Sequence, residues 1–356
     1  MEISHIAARR FCADVFGSYG FTRRESESIA DALLRADLYG IESHGIQRLA
    51  RYHEEIAGGA VDVRARPETV FETKISAVVD AHKAMGRALE MAGEHGVGMV
   101  AVRNSNHYGI AGYYTRMASE RDFMGICMTN TEAICVPTFG KQAMLGTNPI
   151  AVSLPAEPFD FTFDSATTVV PRGKLEVYKK NEAPLPDGWA LDSEGRPSGD
   201  AAEVLGNIIG KLGGGIAPLG GLGETLGGHK GYGLAAIVDI FTGIFSGGAT
   251  SDAVNTLPGR TDICHYFAAV DYGLFGDKKA IKDRLSQFLA GLRASRKAAG
   301  QGRIYTHGEK EAELMAARAN AAFPVNGKTW EEMRAIAEAQ GLDFAAYFKE
   351  GRAWQA

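Results

Sequence analysis

The chain has 356 residues, of which 45% are hydrophobic and 23% charged, a composition typical of a globular protein with one or two domains. Its formal net charge is −5. Because no basic stripe is interleaved with aromatic residues, nucleic acid is not expected as a partner. The first residues lack a basic segment followed by an apolar run, and no apolar stretch is long enough to cross a bilayer. We therefore expect a cytoplasmic protein without a signal peptide and without a membrane partner.

None of the four cysteines, Cys12, Cys127, Cys135 and Cys264, belongs to a Cys-x-x-Cys pair, and their neighbours are apolar. Free cysteine behaves as a small hydrophobic residue, so we expect four buried thiols and no disulfide. No cluster of candidate ligands in the sequence indicates a metal site.

The first strong helix signal is Thr22-Arg23-Arg24-Glu25, a capping box that apolar residues follow at helical spacing as far as Leu38. Ser43 then predicts the N-cap of a second helix, which runs to Gly58-Gly59. In this arrangement His44 lies in the first helical turn. Free backbone N–H groups there favour a bound anion and lower the pKa of an imidazole.

The segment Ser43-His44-Gly45-Ile46-Gln47-Arg48 combines a histidine with a guanidinium four residues later. Positions i and i+4 share a helix face, so His44 and Arg48 are predicted to face one small molecule. A histidine transfers protons, and an arginine binds a carboxylate through two parallel hydrogen bonds. This combination is typical of an enzyme that acts on a 2-hydroxy or 2-oxo acid. The alternative, from these residues alone, is an exposed amphipathic helix face.

Short apolar strands and helices alternate through the middle of the chain, which is typical of an α/β fold. The strands are predicted at residues 77–80, 99–102, 123–128, 150–154, 159–164 and 263–271. Helices are predicted at 85–94, 110–118, 169–178, 231–245, 278–299 and 309–322. Residues 187–195 predict a turn with a surface hairpin. Thr329-Trp330-Glu331-Glu332 predicts a second capping box, for a terminal helix that ends near Gly341.

No internal repeat and no Pro- or Ser-rich linker divides the chain, so we expect residues 1–356 to form one unit. Within that unit, residues 1–75 and 300–356 are predicted to be mainly helical, and residues 76–299 to form an α/β core. These boundaries are predictions from the element pattern alone.

Residues 206–231 are rich in glycine, and Gly221-Leu222-Gly223-Glu224-Thr225-Leu226-Gly227 has the spacing G-x-G-x-x-x-G. This is one residue longer than the Rossmann dinucleotide fingerprint, and residues 211–218 do not have the pattern of the strand that must precede it. We therefore interpret the segment as a flexible loop that leads into Gly228-His229-Lys230-Gly231-Tyr232-Gly233. A lysine at a helix start suits a phosphate or a ribose hydroxyl, and the alternative is a solvated lysine on a loop.

Three further polar segments are candidates for ligand contacts: Asn104-Ser105-Asn106-His107-Tyr108-Gly109, Gly146-Thr147-Asn148-Pro149 and Asp164-Ser165-Ala166-Thr167-Thr168. In α/β folds, ligands bind where strands end. Each segment also has a simpler interpretation. The first would be a loop whose histidine is hydrogen-bonded to neighbouring backbone, the second a turn, and the third a helix N-cap.

Six segments in this order resemble the type-2 malate/L-lactate dehydrogenase family, which is distinct from the Rossmann-type lactate and malate dehydrogenases: residues 40–45, 104–109, 139–151, 164–174, 229–234 and 304–309. The resemblance implies an α/β fold with a large mixed sheet and a non-Rossmann site for NAD or NADP, with NAD favoured. It also implies a homodimer. The reaction it implies is oxidation of 2-hydroxy acids, or reduction of 2-oxo acids or cyclic imino acids.

The resemblance also implies roles for particular residues. Ser43 and His44 correspond to a relay pair, and Arg48 corresponds to the anchor for the substrate carboxylate. His107 matches a histidine that is the proton acceptor in some members and a cofactor contact in others. The further substrate contacts are Thr147, Arg172 and Gly173. The implied cofactor contacts are His107, Tyr108, Gly109, Thr131, Asp164, Ser165, Ala166, Lys230, Gly231, His307, Gly308 and Glu309.

The chain departs from the family pattern at two positions. His307 stands where the family usually has proline, and Lys174 stands where some imine-reducing members have aspartate. The lysine disfavours a cyclic imino acid reductase, which stays an alternative to a 2-hydroxy acid dehydrogenase. A non-catalytic nucleotide-binding relative is a second alternative, disfavoured because a pure binder needs no proton-transfer group.

Overall fold

The computed structural model describes residues 1–80, 84–319 and 321–348. The strands within these residues are β1 (Glu2–Ser4), β2 (Glu68–Glu72), β3 (Ser76–Asp80), β4 (Val97–Ser105), β5 (Met124–Thr129), β6 (Ile150–Leu154), β7 (Phe161–Ser165), β8 (Ala190–Leu191), β9 (Gly215–Ile216), β10 (Ile263–Val270) and β11 (Ala322–Pro324). The helices are α1 (His5–Ser18), α2 (Arg23–Leu38), α3 (Leu49–Ala57), α4 (Ala84–His95), α5 (Ala111–Ser119), α6 (Arg172–Lys180), α7 (Ala201–Gly210), α8 (Gly228–Asp239), α9 (Lys278–Ala294), α10 (Glu309–Arg318) and α11 (Gly327–Ala339).

A seven-stranded mixed sheet in the order β2-β3-β4-β10-β5-β6-β7 forms the centre of the fold. Strands β3 and β4 are parallel, and the other neighbours are antiparallel. Strand β10 lies between β4 and β5, and its residues from Ile263 to Ala269 are all buried. A continuous apolar run is what a strand covered on both faces requires. The predicted α/β class with a large mixed sheet is confirmed.

Helices cover both faces of this sheet. On one face α4 and α5 pack over a core that includes Ala88, Val100, Cys127 and Phe267. On the other face α8 continues into a π-type segment, Ile240–Ile244, whose Phe241 ring packs 5.0 Å from Tyr266 of β10. The long apolar helix predicted at 231–245 is therefore this continuous element, which begins slightly earlier.

The two terminal regions of the chain share one helical core. Helices α1, α2, α3 and α11 bury Phe11, Leu33 and Trp330 together, and β1 pairs antiparallel with β11. The predicted capping box is confirmed, because the Thr22 side chain accepts the Glu25 N–H while the Glu25 carboxylate accepts the Thr22 N–H. Residues 349–356, which the predicted C-terminal helical region includes, lie outside the described residues.

A third, smaller core joins α6, α7, β8 and β9 around Leu175, Val204 and Ile216. The expectation that residues 211–218 contain no strand is wrong, because Gly215–Ile216 pairs with Ala190–Leu191. A two-residue strand is fixed by this tertiary pairing and leaves little local pattern. The turn predicted within 187–195 is present at 192–195, but β8 before it is buried and does not lie on the surface.

Several predicted helix limits differ from the structure. The capping box predicted at Thr329 is wrong, because the Asn326 side chain accepts the Thr329 N–H at 2.8 Å and α11 begins at Gly327. Asparagine is among the most favourable N-cap residues, so Asn326 rather than Thr329 caps this helix. Helix α9 ends at Ala294, before the predicted residue 299. Helix α10 ends at Arg318, and residue 320 within that prediction lies outside the described residues.

All four cysteines are buried and free, as predicted. Burial raises the pKa of the Cys12, Cys127 and Cys135 thiols, which keeps them protonated at neutral pH. Across the described ranges, no helix is both long enough and apolar enough to cross a membrane.

Candidate active site

A buried carboxylate shapes the turn that carries His44. Asp37 of α2 accepts the backbone N–H of Ile46 at 2.7 Å, and a Cβ atom on Gly45 would overlap this carboxylate. A side chain at position 45 would therefore require the Asp37 carboxylate to move. The chain forms two successive 3₁₀ turns, Glu42–His44 and Ile46–Arg48, before α3 begins. The prediction that Ser43 caps an α-helix is wrong, because Asp37 reaches in from the preceding helix and holds a tighter turn.

Ser43, His44 and Arg48 nevertheless lie together, as predicted. Ser43 Oγ lies 2.9 Å from Nδ1 of His44, and Arg48 Nε donates to the Ser43 carbonyl oxygen at 2.6 Å. This bond fixes the direction of the guanidinium while its terminal amino groups make no hydrogen bond to any described residue. A half-buried guanidinium held in this way is suited to bind a carboxylate with both terminal nitrogens.

The structure brings His107 next to His44. The two rings lie 5.6 Å apart between centroids at an angle of 31°. Nδ1 of His107 lies 2.7 Å from the hydroxyl of Tyr52, a residue of α3. The segment after β4 and the turn before α3 thus contribute one imidazole each to a common site, with a tyrosine hydroxyl beside the second.

Both imidazoles are neutral at physiological pH. Burial, followed by the charges of the neighbouring Arg48 and Arg51 guanidinium groups, lowers the pKa of His44 to about 4. Burial also lowers the pKa of His107 well below its usual value, with added effects from His44, Arg51, Arg48 and His265. Both effects destabilise the charged form. A neutral imidazole is the form that accepts a proton from a hydroxyl group.

His265 of β10 supports the segment that carries His107. Its Nε2 lies 3.2 Å from the Asn106 carbonyl oxygen, and its Nδ1 lies 2.8 Å from Thr129 Oγ1. The Tyr108 ring packs 4.3 Å from the His265 ring. Gly109 has φ +88°, a conformation that glycine adopts without strain. In this structure Tyr108 and Gly109 shape the segment, and their contact with a cofactor stays a prediction.

Two predicted ligand residues, Thr131 and Thr147, form a pair. Their hydroxyl oxygens lie 3.3 Å apart, and the Thr147 N–H donates to Thr131 Oγ1 at 2.9 Å. Beneath them, Asn148 donates to the Asp239 carboxylate at 2.9 Å, and Ser251 donates to the same carboxylate at 2.8 Å. Asn148 also accepts the Thr131 N–H at 3.3 Å, so this buried network helps to hold the threonine pair in place.

Arg172 and Gly173 lie at the N-terminus of α6, the end of a helix that favours anions. Arg172 pairs with Glu176 at 3.1 Å, and both side chains influence the pKa of Arg48, which burial and Arg51 lower. A Cβ atom on Gly173 would meet nothing within 4 Å, so the space in front of it is open.

A second group of predicted residues surrounds a cavity of about 260 Å³ between α5, β7 and the segment before α10. Its walls include Arg116, Asp164, Tyr305, His307 and Gly308. Asp164 accepts the Gly112 N–H at 2.7 Å and remains accessible from the cavity. The surrounding protein raises the pKa of this carboxyl group to about 6.

The remaining cofactor candidates are less directly exposed to that cavity. Ser165 Oγ donates to the Ala166 carbonyl oxygen at 3.1 Å, at the end of β7. The Glu309 side chain is buried, accepts the Thr306 N–H at 3.0 Å and pairs with Arg303. Its carboxylate is thus engaged in holding the turn, and a contact of Glu309 with a cofactor stays a prediction.

The glycine-rich segment packs closely onto the start of α8. A Cβ atom on Gly231 would overlap the Leu219 backbone, and one on Gly228 would overlap the Gly221 backbone. These glycines allow the loop to fold against the helix. Lys230, one residue before Gly231, is exposed, which leaves both of its sequence interpretations open.

Tyr52, Asp37 and Arg51 lie at or near the candidate site and are not among the residues that the sequence predicts. Tyr52 lies one helical turn after Arg48 in the sequence. This spacing indicates that Tyr52 shares a face with Arg48, because residues at i and i+4 lie on one side of a helix. Asp37 gave no signal, since its contact with the turn depends on how α2 meets Gly45.

The fold is that of an α/β protein in which two neutral histidines and an arginine lie together at one candidate active site. A family model described as malate/L-lactate dehydrogenase matches residues 3–334. The chain is 42% identical to a malate dehydrogenase of Pyrococcus abyssi over 93% of each chain. It is 32% identical to a malate/(S)-sulfolactate dehydrogenase of Methanothermus fervidus over 96% of this chain and 99% of that protein.

A solved structure gives the same result. The crystal structure of malate dehydrogenase from Entamoeba histolytica superimposes with a TM-score of 0.91 at 32% identity, covering 97% of this chain and 99% of that one. The chain belongs to the malate/L-lactate dehydrogenase family. It is accordingly a dehydrogenase of 2-hydroxy acids that uses a nicotinamide cofactor.

Proposed function

We propose that this protein interconverts malate and its 2-oxo acid, with NAD as the favoured cofactor. The observation that carries the proposal is the site in which Arg48 is oriented by the Ser43 carbonyl oxygen beside the facing rings of His44 and His107. A carboxylate anchor and a neutral base at one site are what oxidation of a 2-hydroxy acid requires.

Each residue of the site has its own role in the proposed reaction. Arg48 binds the C1 carboxylate, which places the C2 hydroxyl near the two imidazoles. One imidazole accepts the hydroxyl proton during oxidation and returns it during reduction. Ser43 holds Nδ1 of His44 and keeps that ring in place. When bound, the nicotinamide supplies or accepts the hydride.

The charge of the site favours a substrate with two acidic groups. Arg51 and Arg172, which pair with Glu55 and Glu176, both act on Arg48 electrostatically, so further guanidinium groups lie near the proposed carboxylate anchor. The second carboxylate of malate offsets this charge, whereas the methyl group of lactate does not. The relatives named above act on malate or on malate and sulfolactate, which also carry two acidic groups.

The cavity around Asp164 fits part of a dinucleotide. Arg116 lines the cavity, and its positive charge suits the pyrophosphate of a dinucleotide. Gly308, with φ +90°, allows close approach of the backbone. Asp164 suits a ribose hydroxyl and repels a 2′-phosphate, which favours NAD over NADP. We further propose that Lys230, Thr131 and His307 contact the cofactor.

We also propose a homodimer that uses the outer side of α8 and the π-type segment. Leu234, Ile237, Ile240 and Ile244 form one stripe at helical spacing, and each is more than a third exposed. Phe245, 55% exposed, extends the stripe at its end. An apolar patch of this kind marks an interface between proteins. A second copy is the occupant that the family resemblance implies.

The four buried free thiols fit a reducing compartment, and we propose that the protein acts in the cytoplasm. Fractionation of cells that express the chain, followed by immunodetection, tests this location.

The first experiment offers the purified protein oxaloacetate, pyruvate, a 3-sulfo-2-oxo acid and a cyclic imino acid, with NADH and separately with NADPH, and follows the reduced-nicotinamide absorbance. Oxidation of NADH with oxaloacetate and slower reaction with pyruvate is the expected result. Faster turnover of the cyclic imine would establish the reductase alternative. Cofactor binding without turnover of any substrate would favour a non-catalytic relative.

A further inference from the structure

Tyr52 occupies a particular place beside the histidine pair. It lies in α3, one turn after Arg48, and its hydroxyl lies 2.7 Å from Nδ1 of His107. Burial raises the pKa of Tyr52 above its usual value, so the hydroxyl keeps its proton at every physiological pH. Tyr52 therefore contacts His107 as a neutral group that can either donate or accept one hydrogen bond.

The two ring nitrogens of His107 have different surroundings. Nδ1 contacts the Tyr52 hydroxyl at 2.7 Å and the Gly109 N–H at 3.4 Å. Nε2 has no hydrogen-bond partner among the described residues. Nε2 is thus the nitrogen left for a substrate, and the partner at Nδ1 decides whether Nε2 carries a lone pair or a proton.

The two contacts at Nδ1 favour opposite tautomers. A backbone N–H only donates, so Gly109 favours a lone pair on Nδ1 and a proton on Nε2. A hydroxyl also accepts, so Tyr52 is able to hold a proton on Nδ1 and leave the lone pair on Nε2. At 3.4 Å the Gly109 contact is at the limit of a hydrogen bond, whereas 2.7 Å is the usual length of a strong one.

We propose that Tyr52 is a positioning residue that holds the Nδ1 proton of His107, and that His107 Nε2 exchanges the proton with the substrate. This inference rests on the proposed dehydrogenase function. During oxidation the substrate O–H bond breaks and its proton passes to Nε2, the C2–H leaves as hydride to the nicotinamide, and a C=O bond forms. His107 becomes an imidazolium, and Nδ1–H continues to donate to Tyr52. Reduction reverses each step.

Tyr52→Phe removes the hydroxyl and leaves the ring, so it tests this role directly. We expect kcat for malate oxidation to fall by at least about tenfold, with a change in KM below about twofold. Tyr19→Phe is the matched control, because the Tyr19 hydroxyl contacts Nδ1 of His53 in the same way outside the site. The control should keep its kcat within about twofold of the unmodified protein.

A double-mutant cycle separates positioning from a general structural effect. In a His107→Gln background, Tyr52→Phe should lower kcat by less than about twofold, because a residue that acts through His107 has nothing left to hold. Equal losses in both backgrounds would overturn the proposal, as would an equal loss in Tyr19→Phe.

The pH profile of kcat/KM gives a second test, through its acid limb, the range in which the rate falls as the pH is lowered. Tyr52 stabilises the imidazolium as an acceptor, so Tyr52→Phe should move this limb to lower pH. The other groups that act on His107 are His44, Arg48, Arg51 and His265, and the variant leaves all of them in place. A limb that stays where it was would contradict the proposal.

The tautomer itself is measurable without any turnover. Nitrogen chemical shifts of the labelled protein should place the proton of neutral His107 on Nδ1, and a proton on Nε2 would overturn the proposal even if Tyr52→Phe fails to fold. If the unmodified protein oxidises no 2-hydroxy acid, the proposed function fails, while this measurement still decides the role of Tyr52.

Discussion

The imidazole rings of His44 and His107 face each other at 5.6 Å, although one belongs to a turn between helices and the other follows a strand of the central sheet. Two cations at this distance would repel each other strongly in a partly buried site. Burial is the largest cause that lowers the pKa of both rings, and Arg48 and Arg51 act in the same direction, so both rings stay neutral. This arrangement suits the proposed binding of an anionic substrate and the transfer of its hydroxyl proton to an imidazole.

This arrangement predicts a difference between two pH profiles. In the free enzyme the pKa of His44 is about 4 and that of His107 is also lowered, so the base form persists well below pH 6.5. The acid limb of kcat/KM, which reports the free enzyme, should therefore lie at low pH. A bound carboxylate offsets the charge of Arg48 and raises the histidine pKa, so the limb of kcat should lie at higher pH. Steady-state rates measured from pH 4 to pH 9 test this order, and coincident limbs would contradict it.

Arg48→Lys should reduce kcat/KM for malate by about 100-fold, mainly through KM. A lysine provides a point charge but not the planar pair of donors that binds a carboxylate, and it also cannot keep the bond that Arg48 Nε makes to the Ser43 carbonyl oxygen. Arg23→Lys is the matched control, because Arg23 pairs with Glu27 on the exposed side of α2. A value of kcat/KM within about threefold of the unmodified protein would remove Arg48 from the substrate site.

Gly45→Ala should destabilise the protein by about 1–3 kcal/mol, because the new Cβ overlaps the Asp37 carboxylate beneath the turn. It should also lower kcat, since His44 is the adjacent residue. Gly206→Ala is the control: a Cβ there meets nothing within 4 Å, and alanine stabilises a helix by up to about 1 kcal/mol relative to glycine. Denaturant unfolding of both variants gives the comparison. A Gly45→Ala protein as stable as the unmodified one would show that the turn shifts freely.

The parts of the fold that the sequence predicted are those in which local pattern and tertiary structure agree. Strand β6 has the limits expected, and the capping box at Thr22 is present, because alternation and capping act within a few residues. Strand β9 was missed because its two residues are fixed by pairing with β8. Helix α7 was also missed, since it lies partly in a glycine-rich segment that we interpreted as a loop.

For the candidate site, too, the sequence predicted the local segments but not the contacts between them. The short segments that contain His44, Arg48 and His107 were identified, because each places polar groups together in the sequence. Their actual relationship was not, since it depends on Asp37 and Tyr52, which meet the other residues only through the packing of α2, α3 and the segment after β4. Contacts between residues of different helices and strands produce no regular spacing in the sequence, so they cannot be inferred from it.

The stripe on α8 and the π-type segment predicts how the protein assembles. Ile244→Glu places a charge on this stripe, where Ile244 is 59% exposed, and should convert a dimer into a monomer. Ile6→Glu is the control, because Ile6 of α1 is 74% exposed and lies outside the stripe. Light scattering coupled to size-exclusion chromatography gives the mass of each form. A dimer that survives Ile244→Glu but dissociates in Ile6→Glu would move the interface to α1. If the unmodified protein is a monomer, the stripe does not bind a second copy.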